Sequence, residues 1–233
     1  MSRATAAVLA LGLVALSPAA GWASGLELRI GAFFPRGESD LFADDNELYS
    51  RAGELGGVTP NHFDGLYGGA EYSFNVAKKL EMGISIDGYG TTIPTVYRDF
   101  TRPDGSEIEQ NLRLFTITPG LSLRFLPRDR FATVQPYLTL GADVIFYQYE
   151  EFGDFIDFFT DNLEILPESF ESDGAALGGH AAVGLRIPIG HDFAITAEGR
   201  YQFAQRKRME EDFDQNIIDV NGASATIGIR LRF

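Results

Sequence analysis

The stretch "SATIGIRLRF" (residues 224–233) alternates strictly between apolar residues and small or charged ones. Ala225, Ile227 and Ile229 fall on one face of an extended strand, whereas Arg230 and Arg232 fall on the other. This period of two is typical of a β-strand whose two faces meet different environments. Because an unpaired terminus usually frays, so regular a strand predicts a pairing partner elsewhere in the chain.

The same alternation recurs along the chain. Including the quoted stretch, eight segments show it, at residues 26–34, 63–74, 80–90, 114–125, 134–146, 176–189, 194–203 and 224–233. The connections alternate in length: short ones fall at residues 75–79, 126–132 and 190–192, and long polar ones at residues 35–62, 91–111, 149–173 and 205–221. Short turns on one side and long loops on the other are typical of transmembrane barrels. The sequence therefore predicts an all-β, eight-stranded antiparallel up-and-down transmembrane β-barrel.

The beginning of the chain reads as an export signal. Arg3 precedes the apolar run "AAVLALGLVAL" (residues 6–16), and the small-residue stretch "AAGWAS" (residues 19–24) follows. A basic residue, a short apolar run and small residues are the parts of a secretory signal peptide. We expect a signal peptide at residues 1–23 and a barrel domain at residues 24–233. No later apolar run reaches the length of a transmembrane helix, so a membrane protein of this sequence must be a closed barrel.

Composition excludes several classes of protein. The 233 residues carry a formal net charge of −14 and contain no cysteine. An acidic chain is a poor partner for nucleic acid, so we expect no nucleic-acid binding. The lack of cysteine excludes a disulfide-stapled secreted fold and a lipid-modified N-terminal cysteine. The sequence also shows no phosphate-binding glycine loop and no zinc-ligand spacing, and we expect no cofactor and no metal centre.

The free energy of placing charged side chains in lipid decides which face of the predicted strands points inward. A charged residue that faces lipid at mid-membrane costs about 2–4 kcal/mol, so the charged face should line the lumen. Buried charges must be paired, which predicts an ion-pair network in an interior just wide enough for side chains. The members of this lumen ion-pair network are predicted to be Glu27, Arg29, Glu71, Glu81, Asp87, Arg124, Asp143, Arg186, Glu198, Arg200, Arg230 and Arg232.

The long loops carry further signals. In the third loop, apolar residues recur at helical spacing and predict a short helix within residues 151–165, lying as a lid over the barrel mouth; they are Phe152, Phe155, Ile156, Phe159 and Leu163. In the first loop, Ser39 could cap a short helix before an acidic cluster. In the second loop, "PDG" (residues 103–105) predicts a hairpin turn above the membrane.

These features together resemble the small eight-stranded outer-membrane β-barrels of Gram-negative bacteria, such as the OmpA-type transmembrane domain and OmpW-like proteins. The resemblance rests on the signal peptide, "GAFFPRGESDLF" (residues 31–42), "VQPYLTLGADV" (residues 134–144) and "IRLRF" (residues 229–233). It implies a place in the cell outer membrane, contact with outer-membrane lipids and lipopolysaccharide, and Phe233 as the insertion signal for the barrel-assembly machinery. The peptidoglycan-binding domain that follows many OmpA-type barrels is not expected here.

Several functions fit such a barrel. The favoured one is a structural or surface-interaction role for a monomer with a plugged, ion-paired lumen, with divalent cations at the acidic loops as candidate partners. One alternative is an OmpW-like channel for small hydrophobic molecules, gated by the acidic loop helix. A lipid-modifying enzyme is more remote, because His62, His180 and His191 do not form a recognisable catalytic group with a serine. A soluble lipocalin would have to turn the same alternation inside out.

Overall fold

A computed structural model describes residues 24–36, 40–54, 56–128, 132–158, 163–210, 213 and 216–233. The predicted signal peptide, the predicted cap Ser39 and the predicted lid residue Phe159 lie outside these described residues.

Nearly all of the regular structure is β-strand. The strands are β1 (Ser24–Pro35), β2 (Tyr49–Arg51), β3 (Gly65–Ala77), β4 (Leu80–Thr101), β5 (Glu107–Phe125), β6 (Gln135–Ile156), β7 (Ile165–Ile189), β8 (Phe193–Ala204), β9 (Lys207–Arg208), β10 (Ile217–Ile218) and β11 (Gly222–Arg232). One α-helix, α1 (Asp40–Leu48), and a 3₁₀ turn at Pro60–Phe63 lie in the first long loop.

Eight strands close into an antiparallel ring. Strand β1 pairs with β3 on one side and with β11 on the other, where Glu27 stands opposite Arg230. The ring continues through β4, β5, β6, β7 and β8, and β8 pairs with β11. Closure pairs each ring strand on both sides over the shared height of the wall, and it gives β11, the regular strand quoted above, its partner β1. The predicted eight-stranded up-and-down barrel is confirmed.

The barrel wall separates apolar from charged side chains as predicted. On β1, the outward Leu28 and Ile30 are 59% and 56% exposed, whereas the inward Glu27 and Arg29 are 1% and 5% exposed. The outward face of β6 is apolar from Leu138 to Phe146 and then becomes polar. The membrane-spanning part of the wall therefore ends near Phe146. Within the described part of the chain, no helix combines the length and the apolar character needed to cross a membrane.

The wall is much taller on one side. Strands β4, β5, β6 and β7 contain 22, 19, 22 and 25 residues, whereas the other four barrel strands contain 11 to 13. The extra length rises on the side of the long loops. The second loop is the predicted hairpin, with Gly105 at φ +85° in a turn at which the Arg102 carbonyl accepts a bond from the Gly105 N–H. Glycine suits this position because other residues rarely adopt positive φ.

The helix predicted within residues 151–165 is wrong. Residues up to Ile156 belong to β6, and residues from Ile165 onward belong to β7, and the two strands pair as a hairpin. Phenylalanine and isoleucine favour strands, and pairing with β7 extends the ladder of the wall and places Phe155 against Phe170. The single described α-helix is instead α1, in the first loop.

The first and fourth long loops fold into the barrel mouth. Tyr49, Val58 and Phe63 from the first loop are at most 4% exposed, and Met209 and Ile218 from the fourth loop are at most 5% exposed. These side chains pack on apolar and aromatic residues from the upper lumen; those residues include Phe33, Tyr67, Tyr89, Ile93, Leu112, Leu114, Ile145 and Tyr147. The upper half of the interior is thus an aromatic core, which the sequence analysis did not predict.

Candidate functional site: the lumen and its mouth

Arg124 on β5 lies at the centre of the lower lumen. Its side chain has no exposed surface, and its Nη2 lies 2.8 Å from Oε1 of Glu71 on β3. Three further carboxylates lie 3.7–3.8 Å from its guanidinium, those of Glu27, Glu81 and Glu198. The guanidinium carbon also lies 4.6 Å from the ring centre of Tyr137. One side chain therefore connects β1, β3, β4, β5, β6 and β8 across the interior.

A second group of charges lies toward the middle of the barrel. Arg29 makes two hydrogen bonds to Asp87, of 2.8 and 2.7 Å, and a longer contact of 3.4 Å to Glu71. Arg200 on β8 donates to the same Asp87 carboxylate at 3.0 Å and to the Tyr67 hydroxyl at 3.2 Å. Two arginines from β1 and β8 thus share one carboxylate of β4.

A third group closes the lower end. Arg186 on β7 binds Glu81 on β4 through two bonds of 3.0 and 2.9 Å. Such a bidentate pair fixes both the distance and the orientation of the two side chains. Arg230 on β11 approaches the same carboxylate at 3.5 Å and Glu27 at 3.8 Å. Because β5 and β6 lie between β4 and β7 in the ring, the Arg186–Glu81 pair crosses the lumen.

Asp143 and His180 form a separate buried pair. The His180 Nδ1 lies 2.7 Å from Oδ2 of Asp143, and both side chains are at most 2% exposed. Gly141 makes this pair possible, because a Cβ there would lie 2.2 Å from the imidazole. Among the described lumen residues, six carboxylates face five arginines and this histidine. The charges of the lumen below the mouth are therefore nearly balanced.

The structure brings eleven of the twelve predicted network residues into the lumen. Arg232 is the exception: it is only partly buried, and its guanidinium donates to the Phe193 carbonyl at 3.3 Å, at the lower rim. Its position next to the end of β11 places it where the lumen opens. Sequence reasoning omitted His180 from the network, although its place on the charged face of the strand was readable.

The predicted lid residues lie in the tall wall and not over the mouth. Phe152 faces outward, where the Arg113 guanidinium lies 4.8 Å from its ring centre. Phe155 packs edge-on against Phe170 of β7 with a centroid distance of 5.0 Å. Ile156 is buried in the mouth core, whereas Leu163 is 45% exposed at the tip. These four described residues therefore do not form one surface.

The mouth contains two buried carboxylates that sequence reasoning did not single out as a pair. Asp45 of α1 is 3% exposed and Glu151 of β6 is 7% exposed. The Tyr149 hydroxyl donates to Asp45 at 2.8 Å, and the Tyr49 hydroxyl donates to Glu151 at 3.3 Å. Burial raises the pKa of Glu151 to about 7. Burial, and then the charge of Glu151, raise the pKa of Asp45 well above its usual range.

Taken together, the closed ring, the lipid-facing apolar exterior and the charged interior define a transmembrane β-barrel of the small type. The chain belongs to the family described as the outer membrane protein beta-barrel domain, whose model matches residues 6–233. This membership supports a place in the outer membrane. No curated protein matches the chain in sequence.

Solved structures of outer-membrane proteins align with the chain at low sequence identity. A major outer membrane protein from Thermus thermophilus aligns with a TM-score of 0.50 at 12% identity, covering 90% of this chain and 99% of that one. Neisserial surface protein A aligns with a TM-score of 0.48 at 14% identity, and the alignment covers 91% of this chain and 97% of that one. The outer membrane protease OmpT from Escherichia coli aligns with a TM-score of 0.41 at 9% identity, and the alignment covers 94% of this chain and 99% of that one. At 12% identity the likeness to the Thermus thermophilus protein concerns the fold, and a fold does not define a function.

Proposed function

We propose that this protein is a closed outer-membrane barrel that conducts neither ions nor solutes and that serves as a scaffold for its external loops. The observation that carries the proposal is the position of Arg124, which has no exposed surface and four carboxylates within 4 Å. An eight-stranded barrel has an interior just wide enough for side chains. Side chains paired across that interior leave no continuous path for water.

The mouth adds a second barrier above the charged one. Loop residues such as Val58 and Phe63 are fully buried among the aromatic side chains of the upper lumen. An ion that entered from outside would have to displace this apolar core before it reached Arg29 and Asp87. Moving an unpaired charge into such a region is strongly unfavourable. The two barriers act in series.

The geometry favours this role over the alternatives. The segment predicted to be the gating helix of an OmpW-like channel is instead a strand hairpin. The channel alternative therefore has no gate of the predicted kind. A catalytic role would need a substrate to reach a nucleophile and a base, but the His180–Asp143 pair lies inside the closed lumen. The described residues hold no group of three or more potential metal ligands.

Several of the expected partners remain proposals. The apolar exterior would contact outer-membrane lipids, and the loops would contact lipopolysaccharide. Phe233, which is 61% exposed and stacks against Tyr72 with a centroid distance of 6.4 Å, would act as the insertion signal for the barrel-assembly machinery. We propose that the barrel is a monomer.

Conductance in a planar lipid bilayer tests the proposed function. The full chain would be refolded, checked for heat-modifiable migration on a gel, and inserted beside an open porin as a positive control. The expected result is a silent bilayer, because paired side chains fill the lumen. Discrete conductance steps from correctly folded protein would disprove the closed barrel and revive the channel alternative.

A further inference from the structure

The top of the tall wall carries exposed apolar side chains. Phe100 of β4 lies edge-on to Phe158, with their ring centres 5.5 Å apart, and joins the tips of the second and third loops. These rings are 36% and 51% exposed, and nearby Leu163 and Leu166 are 45% and 40% exposed. We call these four residues the crest. A buried residue supports Phe100 from below, because the Phe100 ring also packs against Tyr97.

Lipid cannot cover the crest. The apolar outer face of β6 ends at Phe146, and β6 continues to Ile156. At about 3.3 Å per residue and a tilt of about 40°, those ten residues lift the crest by roughly 25 Å above the hydrocarbon layer. Single exposed apolar residues need no explanation. Two exposed rings in contact, with exposed Leu163 and Leu166 on the same hairpin as Phe158, are typical of an interaction surface.

The surroundings of the crest are strongly acidic. Described residues 98–109 and 154–168 include eight Asp or Glu and only two Arg. Both arginines are engaged: Arg102 pairs with Asp154, and Arg98 donates to the Asn46 carbonyl of α1 at 2.9 Å. Asp99, Glu107 and Glu168 remain exposed around the apolar side chains. A partner of complementary charge must therefore be cationic.

We infer that the crest is a docking surface for a cationic polypeptide segment that also carries apolar side chains. The apolar side chains of the partner would pack on Phe100 and Phe158, and its lysine or arginine side chains would pair with the surrounding carboxylates. This inference rests on the proposed scaffold role and adds a partner class to it. The paired strands β4–β7 hold the crest in place before a partner binds. Binding therefore does not have to pay the entropic cost of ordering this part of the wall.

A binding titration on the full chain tests the inference. The protein would be placed in nanodiscs of zwitterionic lipid and titrated with a short labelled peptide of lysine, leucine and tyrosine, with empty nanodiscs as the blank. A peptide with glutamate in place of lysine is the charge control. The cationic peptide should bind, its affinity should fall as salt is raised, and the glutamate peptide should not bind.

Three variants separate the contributions. Phe100→Ser with Phe158→Ser removes the apolar surface, and Asp99→Asn with Glu107→Gln and Glu168→Gln removes the charge. The matched control, Glu47→Gln with Glu171→Gln and Asp173→Asn, neutralises three exposed acids below the crest. Both crest variants should weaken binding by about tenfold or more, whereas the control should stay within about twofold of the unchanged protein.

Other outcomes would overturn the inference. Equal binding by the crest variants and the unchanged protein would show that the peptide binds elsewhere, and an equal loss in the control would show that only net charge matters. Binding of Mg²⁺ alone, without binding of the peptide, would assign the acids to a cation. A bilayer measurement on the same samples keeps the two proposals apart: a silent bilayer without peptide binding removes only the docking partner.

Discussion

Arg124 shows how one residue can hold an interior together. A guanidinium with no contact to water is very costly to bury, and only multiple opposite charges make its burial tolerable. Four carboxylates and the face of Tyr137 surround it. Arginine suits this position because its planar donors can reach several carboxylates at once, which a lysine cannot do.

Replacing Arg124 should therefore destabilise the barrel severely. Arg124→Met would leave Glu71 and its neighbours buried without their shared cation, and we expect a loss of about 3–5 kcal/mol in the free energy of unfolding. The matched control is Arg113→Met, whose partner Glu150 lies 2.8 Å away on the exposed wall, with an expected loss of about 0–1 kcal/mol. Urea unfolding in lipid vesicles measures both. Equal losses would refute the special role of the buried cation.

Two glycines offer a second test at the scale of single residues. Gly184 stands opposite Tyr137, and a Cβ there would lie 2.2 Å from the tyrosine ring, whereas a Cβ on Gly199 would meet nothing within 4 Å. Gly184→Ala should push the ring away from Arg124 and cost about 1–3 kcal/mol. Gly199→Ala should change stability by less than about 0.5 kcal/mol. The same unfolding measurement would contradict this reasoning if the order were reversed.

At the scale of elements, the strands and the second-loop hairpin were predictable, whereas the third loop and the packing of the mouth were not. Alternation is read directly from neighbouring residues, so the eight strands and the inward face of Arg29 or Glu81 followed from the sequence. The helix prediction for the third loop was wrong because phenylalanines at helical spacing are also compatible with a β-hairpin. In this hairpin, side chains on both faces pack against other residues. Val58 and Met209 enter the mouth through contacts between distant loops, and local pattern carries no information on such contacts. Their only signal was an apolar residue in a polar loop.

The mouth should respond to pH through Glu151 and Asp45. Glu151 keeps its proton in the folded mouth up to about pH 7 but loses it near 4.5 when the mouth opens, so the folded mouth binds more protons between these values. Its stability should therefore be greatest at low pH and fall as the pH rises from about 4.5 to about 7. Among the described residues, the titratable groups that also interact with this pair include Tyr49, Tyr149, Tyr97 and Asp44, and none of these four is a cation.

Hydrogen exchange of residues 40–51 measures this effect. Protection factors, corrected for the intrinsic exchange rate, should be lower at about pH 8 than at about pH 5, since ionised Glu151 and Asp45 repel each other. Glu151→Gln should flatten the difference, while Glu47→Gln, on the exposed face of α1, should preserve it. Equal protection at both pH values would show that ionisation of Glu151 and Asp45 does not destabilise the folded mouth.

At the scale of the whole molecule, the two barriers in series should be separable. Replacing residues 40–63 and 207–218 with flexible linkers removes the side chains of the first and fourth loops from the apolar mouth. It leaves the ion pairs around Arg124 in place. We expect this variant to remain silent in a bilayer. Only the combination with Arg124→Ala should produce conductance steps, provided that gel migration confirms folding. Conductance from the loop replacement alone would show that the ion pairs do not close the lumen.

The unequal height of the wall gives the molecule a front and a back. The crest stands off the barrel axis, above β4–β7, while the short strands β1, β3, β8 and β11 leave the opposite side low. A barrel held only by fluid lipid turns about the membrane normal, so an off-axis surface sweeps a circle around it. A partner attached nearby would then have to reach the height of the crest, but the direction in which the crest points around the membrane normal would not matter. Anchoring one side of the barrel to a neighbour would remove that freedom and point the crest in a single direction.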